Sequence, residues 1–261
     1  MSELCLECID VSKKFRLYER DTSLKSRFAN SIERHTDLLE WYVLRDINFR
    51  ILQGDRVGII GRNGSGKSTL LKLLTGIYTP TVGGIEIYCK RMLALIELGV
   101  GFYDELTARE NIKLNWVFNG LPKKELGEYF DEIVEFAGLH NFLDTPLKYY
   151  STGMVARLGF AIASHAHPDL LIVDEVLAVG DAEFQERCYQ KIDELCRQGA
   201  TLILVSHSTS AIEQMCERAI LLDGETIAHD GSVLDTMNVY NDALSKPIFE
   251  NLSVSPSNSV G

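Results

Sequence analysis

Apolar residues recur along this chain with three different periods, and the changes of period divide it. Residues 3–11 predict a first strand. Between 22 and 42, Leu24, Phe28, Ile32, Leu38 and Leu39 fall near helical spacing. Arg27, Glu33 and Arg34 lie between them, so the stretch predicts an amphipathic helix. Residues 43–51 alternate with period two, as a half-exposed strand does. A short apolar strand is expected at 56–60 and a helix at 68–75 stopped by Gly76, followed by strands near 84–90 and 91–96.

From about 98 to 166 the pattern turns helical. Thr107-Ala-Arg-Glu110 reads as a capping box opening a helix through Phe118. Pro122 stands where a first helical residue would, and Gly138 ends that helix. A third helix runs from near Ser151 to before Pro168. The continuous apolar runs at 170–174 and 201–206 predict strands covered on both faces of a parallel sheet. Helices are expected at 181–197, 208–216 and 231–244, with a strand at 218–222. Residues 246–261, rich in Ser, Asn and Pro, predict a disordered tail. One domain over 1–245 is therefore expected: an α/β core interrupted by a helical insertion.

The chemistry concentrates where the strand at 56–60 meets its helix. Residues 61–69 read Gly-Arg-Asn-Gly-Ser-Gly-Lys-Ser-Thr and match G-x-x-x-x-G-K-[ST] between a strand and a helix. Gly61, Gly64 and Gly66 allow backbone conformations closed to residues with a Cβ. The N–H groups of Asn63, Gly64, Ser65, Gly66, Lys67, Ser68 and Thr69 can then converge on phosphate oxygens at a helix N-terminus. Lys67 is expected to reach the β- and γ-phosphates, and Ser68 to ligate Mg²⁺. Asp174-Glu175 closes the apolar run at 170–174, and ligands of parallel α/β sheets bind beyond the carboxyl ends of strands. Asp174 is thus expected in the Mg²⁺ shell and Glu175 as the group that polarises the attacking water. His207 ends the next strand in the same way, as a γ-phosphate contact. Ser151 and Gly153 open a helix inside the insertion and make a second anion site. One nucleotide uses both sites readily if two copies pack head to tail.

Composition narrows the partners. Lys+Arg 26 against Asp+Glu 37 gives a net charge of −11, which argues against nucleic acid as a ligand. The six cysteines are scattered, and Cys5-x-x-Cys8 has no second pair at zinc spacing, so it reads as ordinary strand in a reduced protein. The N-terminus lacks a basic segment followed by an apolar one, and no apolar run approaches the ~18–20 residues that span a bilayer.

These motifs, in this order, resemble the ATP-binding cassette of ABC transporters over about residues 3–244. Within that family the chain is most similar to the bacterial exporters of O-antigen, capsule and teichoic acid. The residues that carry this are Glu97-Leu-Gly-Val-Gly-Phe102, Glu110-Asn-Ile112, Tyr150-Ser-Thr-Gly-Met-x-x-Arg-Leu-x-Phe-Ala161 and Asp174-Glu-Val-Leu-Ala-Val-Gly-Asp181. The resemblance implies a P-loop NTPase (RecA-like) core with an antiparallel β subdomain and an inserted helical signature subdomain. It implies ATP and Mg²⁺ as cofactors, hydrolysis at a head-to-tail dimer interface, Asp181 as the aspartate of the loop that crosses it, and His207 as the switch histidine. It puts the adenine-stacking aromatic at Phe15, with Tyr18 as second choice, and Glu97 in place of the usual Q-loop glutamine. Thr152 and Met154 replace a Gly and the Gln of the commoner Leu-Ser-Gly-Gly-Gln.

The partners implied are a transmembrane permease in two copies and a lipid-linked glycan handled mainly by it. The place of work is the cytoplasmic face of the bacterial inner membrane, with the helix at 22–42 near the membrane entrance. The stretch after the last helix is far below domain size, as in members without a glycan-reading domain. A soluble ABC ATPase acting on ribosomes or chromosomes is the competing class. Such proteins usually have paired cassettes or a long coiled coil, and this chain has one cassette and no heptad run. A kinase or GTPase of another P-loop class would leave Ser151, Gly153 and His207 without a role.

Overall fold

Leu, Ile and Val occupy both faces of the central strands, so the sheet they build must be covered on both sides. A computed structural model describes residues 3–18, 38–96, 99, 101–174, 180–206 and 208–245. Six strands form one sheet in the order β5 (Met92–Leu95), β6 (Leu170–Val173), β7 (Thr201–Val205), β3 (Arg56–Gly61), β8 (Arg218–Asp223), β9 (Thr226–Ser232). All neighbours are parallel except β9, which runs antiparallel to β8. Side chains alternate faces along each strand. Leu171, Val173, Leu202 and Leu204 pack with Phe160, Phe184, Ile192 and Ile212 on one side. Leu170, Ile172, Ile203 and Val205 pack with Leu70, Leu71 and Leu74 on the other.

That second face is also where the antiparallel sheet sits. β2 (Leu38–Leu52), β1 (Leu4–Tyr18) and β4 (Val82–Ile87) form it, and their Leu6, Val11, Leu44, Ile47 and Ile51 join the core around α1 (Lys67–Leu74). Cys5 and Cys8 are buried, unbridged residues of β1, as expected of ordinary strand. β4 accompanies β1 only as far as the Ser12–Val82 pair, whereas β2 continues to the Tyr18–Leu38 pair. The outer part of β1 and β2 is therefore a two-stranded ribbon.

The insertion has its own core. α2 (Ala108–Phe118), α3 (Lys123–Ala137) and α4 (Thr152–Ser164) pack around Trp116, Ile133 and Leu158. The capping box at Thr107 and Glu110 is formed, and Gly138 ends α3 in the left-handed conformation. Pro122 is the cap of α3 rather than its first residue. α5 (Ala182–Arg197), α6 (Thr209–Met215) and α7 (Val233–Ser245) complete the fold. No helix of the described residues is long and apolar enough to cross a membrane.

Three further expectations are corrected. Residues 38–42, read as the end of a helix, belong to β2: cross-strand pairing with β1 overrides the helical spacing of Leu38 and Leu39. The rest of that stretch, residues 19–37, and the tail at 246–261 lie outside the described residues. β1 runs on past residue 11 to Tyr18. β9 is a strand where a turn into a helix was expected, held by its ladder with β8.

Asn111 fixes the loop that precedes α2. It is 1% exposed. Its Oδ1 accepts from Tyr103 N–H at 2.8 Å, and its Nδ2 donates to the carbonyls of Tyr103, Leu106 and Thr107 at 3.0–3.1 Å. Asn111→Leu keeps the volume and strands these buried polar groups. It is expected to cost at least about 2 kcal/mol in stability, read as a lower urea midpoint at unchanged slope.

Candidate functional site

The phosphate loop leaves the sheet at β3, between β7 and β8. Two of its glycines are required sterically. A Cβ on Gly61 would lie 2.3 Å from the Leu222 carbonyl oxygen. Gly66 caps α1 at φ 93°, and a Cβ there would lie 2.7 Å from Leu44 Cδ2 and 2.9 Å from Val43 O. At Gly64, by contrast, nothing stands within 4 Å. A cavity of about 280 Å³ opens over the loop, lined by Val43 with Asn63, Gly64, Gly66, Lys67, Ser68 and Thr69. Lys67 is buried, and its Nζ donates to Gly61 O at 2.7 Å and to Arg62 O at 2.9 Å. Ser65 Oγ is buried without a hydrogen-bond partner among the described residues.

An orphaned hydroxyl, a cation folded back on its own loop and a helix N-terminus around one cavity fit a phosphate group. Ser68, exposed at the start of α1, offers a hydroxyl oxygen to a hard cation, and half-buried Asp174 offers a carboxylate. Asp174 follows the last residue of β6, and its N–H donates to Leu95 O at 3.2 Å. Glu175, His207 and Glu97 fall outside the described residues.

The second anion site forms as a helix cap. Ser151 is exposed, and its Oγ accepts from Met154 N–H at 3.2 Å. A Cβ on Gly153 would meet only Ser151 Oγ, at 3.8 Å, so the approach to this terminus is open. None of residues 151–154 lines the phosphate-loop cavity.

Asp181 caps α5, and its Oδ1 accepts from Phe184 N–H at 2.9 Å. Its other oxygen pairs with the Arg157 guanidinium on α4 at 2.6 Å. The Phe184 N–H first, and Arg157 after it, hold this carboxyl below the usual carboxylate range. Asp181 is thus tied to the helix that Ser151 opens.

Phe15 lies in the outer ribbon, directly opposite Trp41 and against Tyr78. Tyr18, the second choice, pairs with Leu38 at the far end of the ribbon. Sequence reasoning missed Val43 as a cavity residue. It lies at a register shift, where Lys13 pairs with Leu44 and Lys14 with Tyr42, and such a bulge leaves no mark in the alternation. Arg157 belongs to the segment that carries the family resemblance, and the structure gives it a partner, Asp181, that the spacing does not state.

Comparison with known proteins agrees with this geometry. The sequence pattern of the ABC transporter family matches residues 44–178. The chain is 39% identical to the O-antigen export system ATP-binding protein RfbB of Klebsiella pneumoniae, over 90% of this chain and 96% of that protein. It is 43% identical to RfbB of Myxococcus xanthus, covering 90% of this chain but only 55% of that protein. It is 40% identical to the teichoic acids export ATP-binding protein TagH of Shouchella clausii, over 89% of this chain and 64% of the relative.

Among solved structures, an ATP-binding subunit of an ABC transporter matches in fold with a TM-score of 0.73 at 23% identity, covering 91% of this chain and 93% of that one. The ATP-binding cassette MJ0796, as a post-hydrolysis dimer bound to ADP and Pi, matches with a TM-score of 0.68 at 21% identity, over 87% and 98%. The phosphate loop, the separate helix cap at Ser151 and these matches lead to one assignment: the chain belongs to the ABC transporter family, as an ATP-binding cassette homologous to those of O-antigen and teichoic acid export.

Proposed function

We propose that this protein is the ATP-hydrolysing subunit of a bacterial ABC transporter that exports lipid-linked polysaccharide, O-antigen foremost, across the inner membrane. The observation that carries the reading is the match to the Klebsiella O-antigen export protein along nearly its whole length, 96% of it.

In this reading Lys67 exchanges the Gly61 and Arg62 carbonyls for the β- and γ-phosphate oxygens. The Ser65 hydroxyl donates to phosphate, and the loop amides hold the remaining oxygens. Ser68 and Asp174 hold a Mg²⁺ whose charge offsets that of the phosphates. Glu175 takes a proton from the attacking water, and His207 contacts the γ-phosphate. Ser151 and Gly153 of a second copy close over the nucleotide, with Asp181 nearby at the interface. The separation of residues 151–154 from the loop cavity supports this head-to-tail dimer. The base lies toward the aromatic end of the outer ribbon, where Phe15 stands.

The partner is a transmembrane permease in two copies, which handles the glycan, and the cassette works at the cytoplasmic face of the membrane. Tyr103, Phe118 and Tyr149 support a docking surface on the helical subdomain: these large side chains are 53%, 64% and 70% exposed. Capsule or teichoic acid export is the second reading, favoured by 40% identity to a teichoic acid export protein.

Glu175→Gln removes the base and keeps the shape. With Mg-ATP it is expected to accumulate as a dimer of doubled mass by light scattering, while wild type turns over and stays largely monomeric. Ser151→Arg and Lys67→Ala should each lose nearly all turnover alone. Mixed in equal amounts they recover roughly a quarter of wild-type turnover, because half the dimers then hold one intact composite site. No recovery on mixing points to a site within one chain. Cells lacking the gene are expected to accumulate a lipid-linked polymer of O-antigen sugars, read by mass spectrometry. A polyol-phosphate polymer would move the assignment to teichoic acid.

A further inference from the structure

Two of the six cysteines meet at the opposite end of the parallel strands from the phosphate loop. Cys5 is a fully buried residue of β1, and Cys89 is half-buried in the segment between β4 and β5. Both pack in one core, the core that the antiparallel sheet shares with α1. Tyr88 N–H donates to Cys5 O at 2.9 Å. That bond carries the β1–β4 ladder one step beyond its Leu6–Ile87 pair and holds the two segments together. The thiols of Cys5 and Cys89 are within hydrogen-bonding reach of one another, and the Cys5 thiol also reaches the Thr201 side chain.

A cavity of about 350 Å³ opens beside the pair, with Cys89, Thr201, Tyr88, Lys90, Asp169 and Gly199 in its wall. Cys5 does not line it. A molecule in the cavity therefore meets Cys89, and Cys5 stands behind. The other four cysteines, Cys8, Cys188, Cys196 and Cys216, are at most 8% exposed, and none of them lines this cavity.

Burial pushes both thiols up, Cys89 to about 12, where Cys5 and Asp169 add to the effect. The thiolate is the reacting form, so such a pair reacts slowly at neutral pH. A thiol of high pKa is also a poor leaving group, so a bridge once made is slow to open.

We propose that Cys5 and Cys89 form a dithiol that small-molecule disulfides oxidise, with Cys89 attacking first and Cys5 resolving. The Cys89 thiol gives its proton to water, and its sulfur attacks one sulfur of the small disulfide. The S–S bond breaks, and one small thiolate leaves and takes up a proton. The Cys5 thiol then loses its proton and attacks the Cys89 sulfur, and the second small thiolate leaves in the same way. Two protein thiols are oxidised, and one small disulfide is reduced to two thiols. The bridge bolts β1 to the segment that enters β5. The phosphate loop lies between the two cysteines in the chain, so the bridge encloses it in a covalent ring.

The test uses the full chain, reduced and desalted, with oxidised glutathione as the small disulfide. The intact mass is expected to fall by two hydrogens, and a non-reducing digest should join the peptide of Cys5 to that of Cys89. The initial rate should rise about ten-fold per pH unit between about pH 7 and 9, below the Cys89 pKa. Cys5→Ser should keep one glutathione on Cys89, because nothing resolves it. Cys89→Ser should react at least about ten-fold more slowly, because its remaining thiols are buried. A glutathione that stays on Cys89 of the wild type, a bridge between other cysteines, or no reaction at about pH 9 overturns the inference. These wild-type readouts decide it even where a Ser variant does not fold, and they leave the phosphate-loop reading untouched.

Discussion

The nucleotide end of this molecule depends on two places where a Cβ cannot stand. Gly61 passes so close to the Leu222 carbonyl of β8 that the loop leaves the sheet flush with its neighbour. Gly66 turns the chain into α1 through a left-handed conformation while Val43 and Leu44 of the antiparallel sheet press on it. The first contact sets the loop at the carboxyl edge of the parallel sheet. The second locks the antiparallel sheet to the loop. Because β3 is buried on both faces, neither contact can relax by shifting the strand. The cavity, the orphaned Ser65 hydroxyl and the position of Lys67 all follow from this frame.

The helical insertion is attached differently. It has its own core around Trp116, and it meets the catalytic half where α4 packs on α5. Phe160 and Phe184 touch there, at 6.1 Å between centroids, and the Arg157–Asp181 pair lies at the rim of that contact. Ser151 opens α4 and Asp181 opens α5, so the two groups assigned to the dimer interface are joined through one patch of side chains. Asp181 also closes the segment that begins at Asp174. A shift of α4 therefore reaches Asp181 and α5 through an ion pair as well as through packing.

Much of the site was legible because its chemistry is local. A glycine-rich loop between an apolar strand and a helix, a Thr-x-x-Glu box and a terminal Gly138 each state their geometry within a few residues. What was not legible depends on partners distant in sequence. Residues 226–232 include one large aliphatic side chain, Ile227, and become a strand by pairing with β8. Leu38 and Leu39 fit a helical stripe until β1 is found to extend beside them. Lys13, Lys14 and Arg16 make the outer part of β1 look like a loop, whereas Tyr42 covers the Lys14 ammonium at 4.5 Å and Glu40 pairs with Arg16 at 2.6 Å. The bulge at Val43 and the aromatic group at Phe15 exist only once the two strands are in register.

The unequal lengths of the antiparallel strands have one more consequence. Past the Ser12–Val82 pair, β1 and β2 have no third strand beside them among the described residues, and a two-stranded ribbon is less stable than a wider sheet. The aromatic group of Phe15 and Trp41 thus sits on the two-stranded part of its sheet, whereas the phosphate loop follows a strand paired on both sides. On the proposed reading, a base held at the ribbon would carry the entropic cost of stilling it, whereas phosphates held by the loop would not. Any contact that stiffens the ribbon from its far end, between Tyr18 and Leu38, would tighten nucleotide binding without touching the nucleotide.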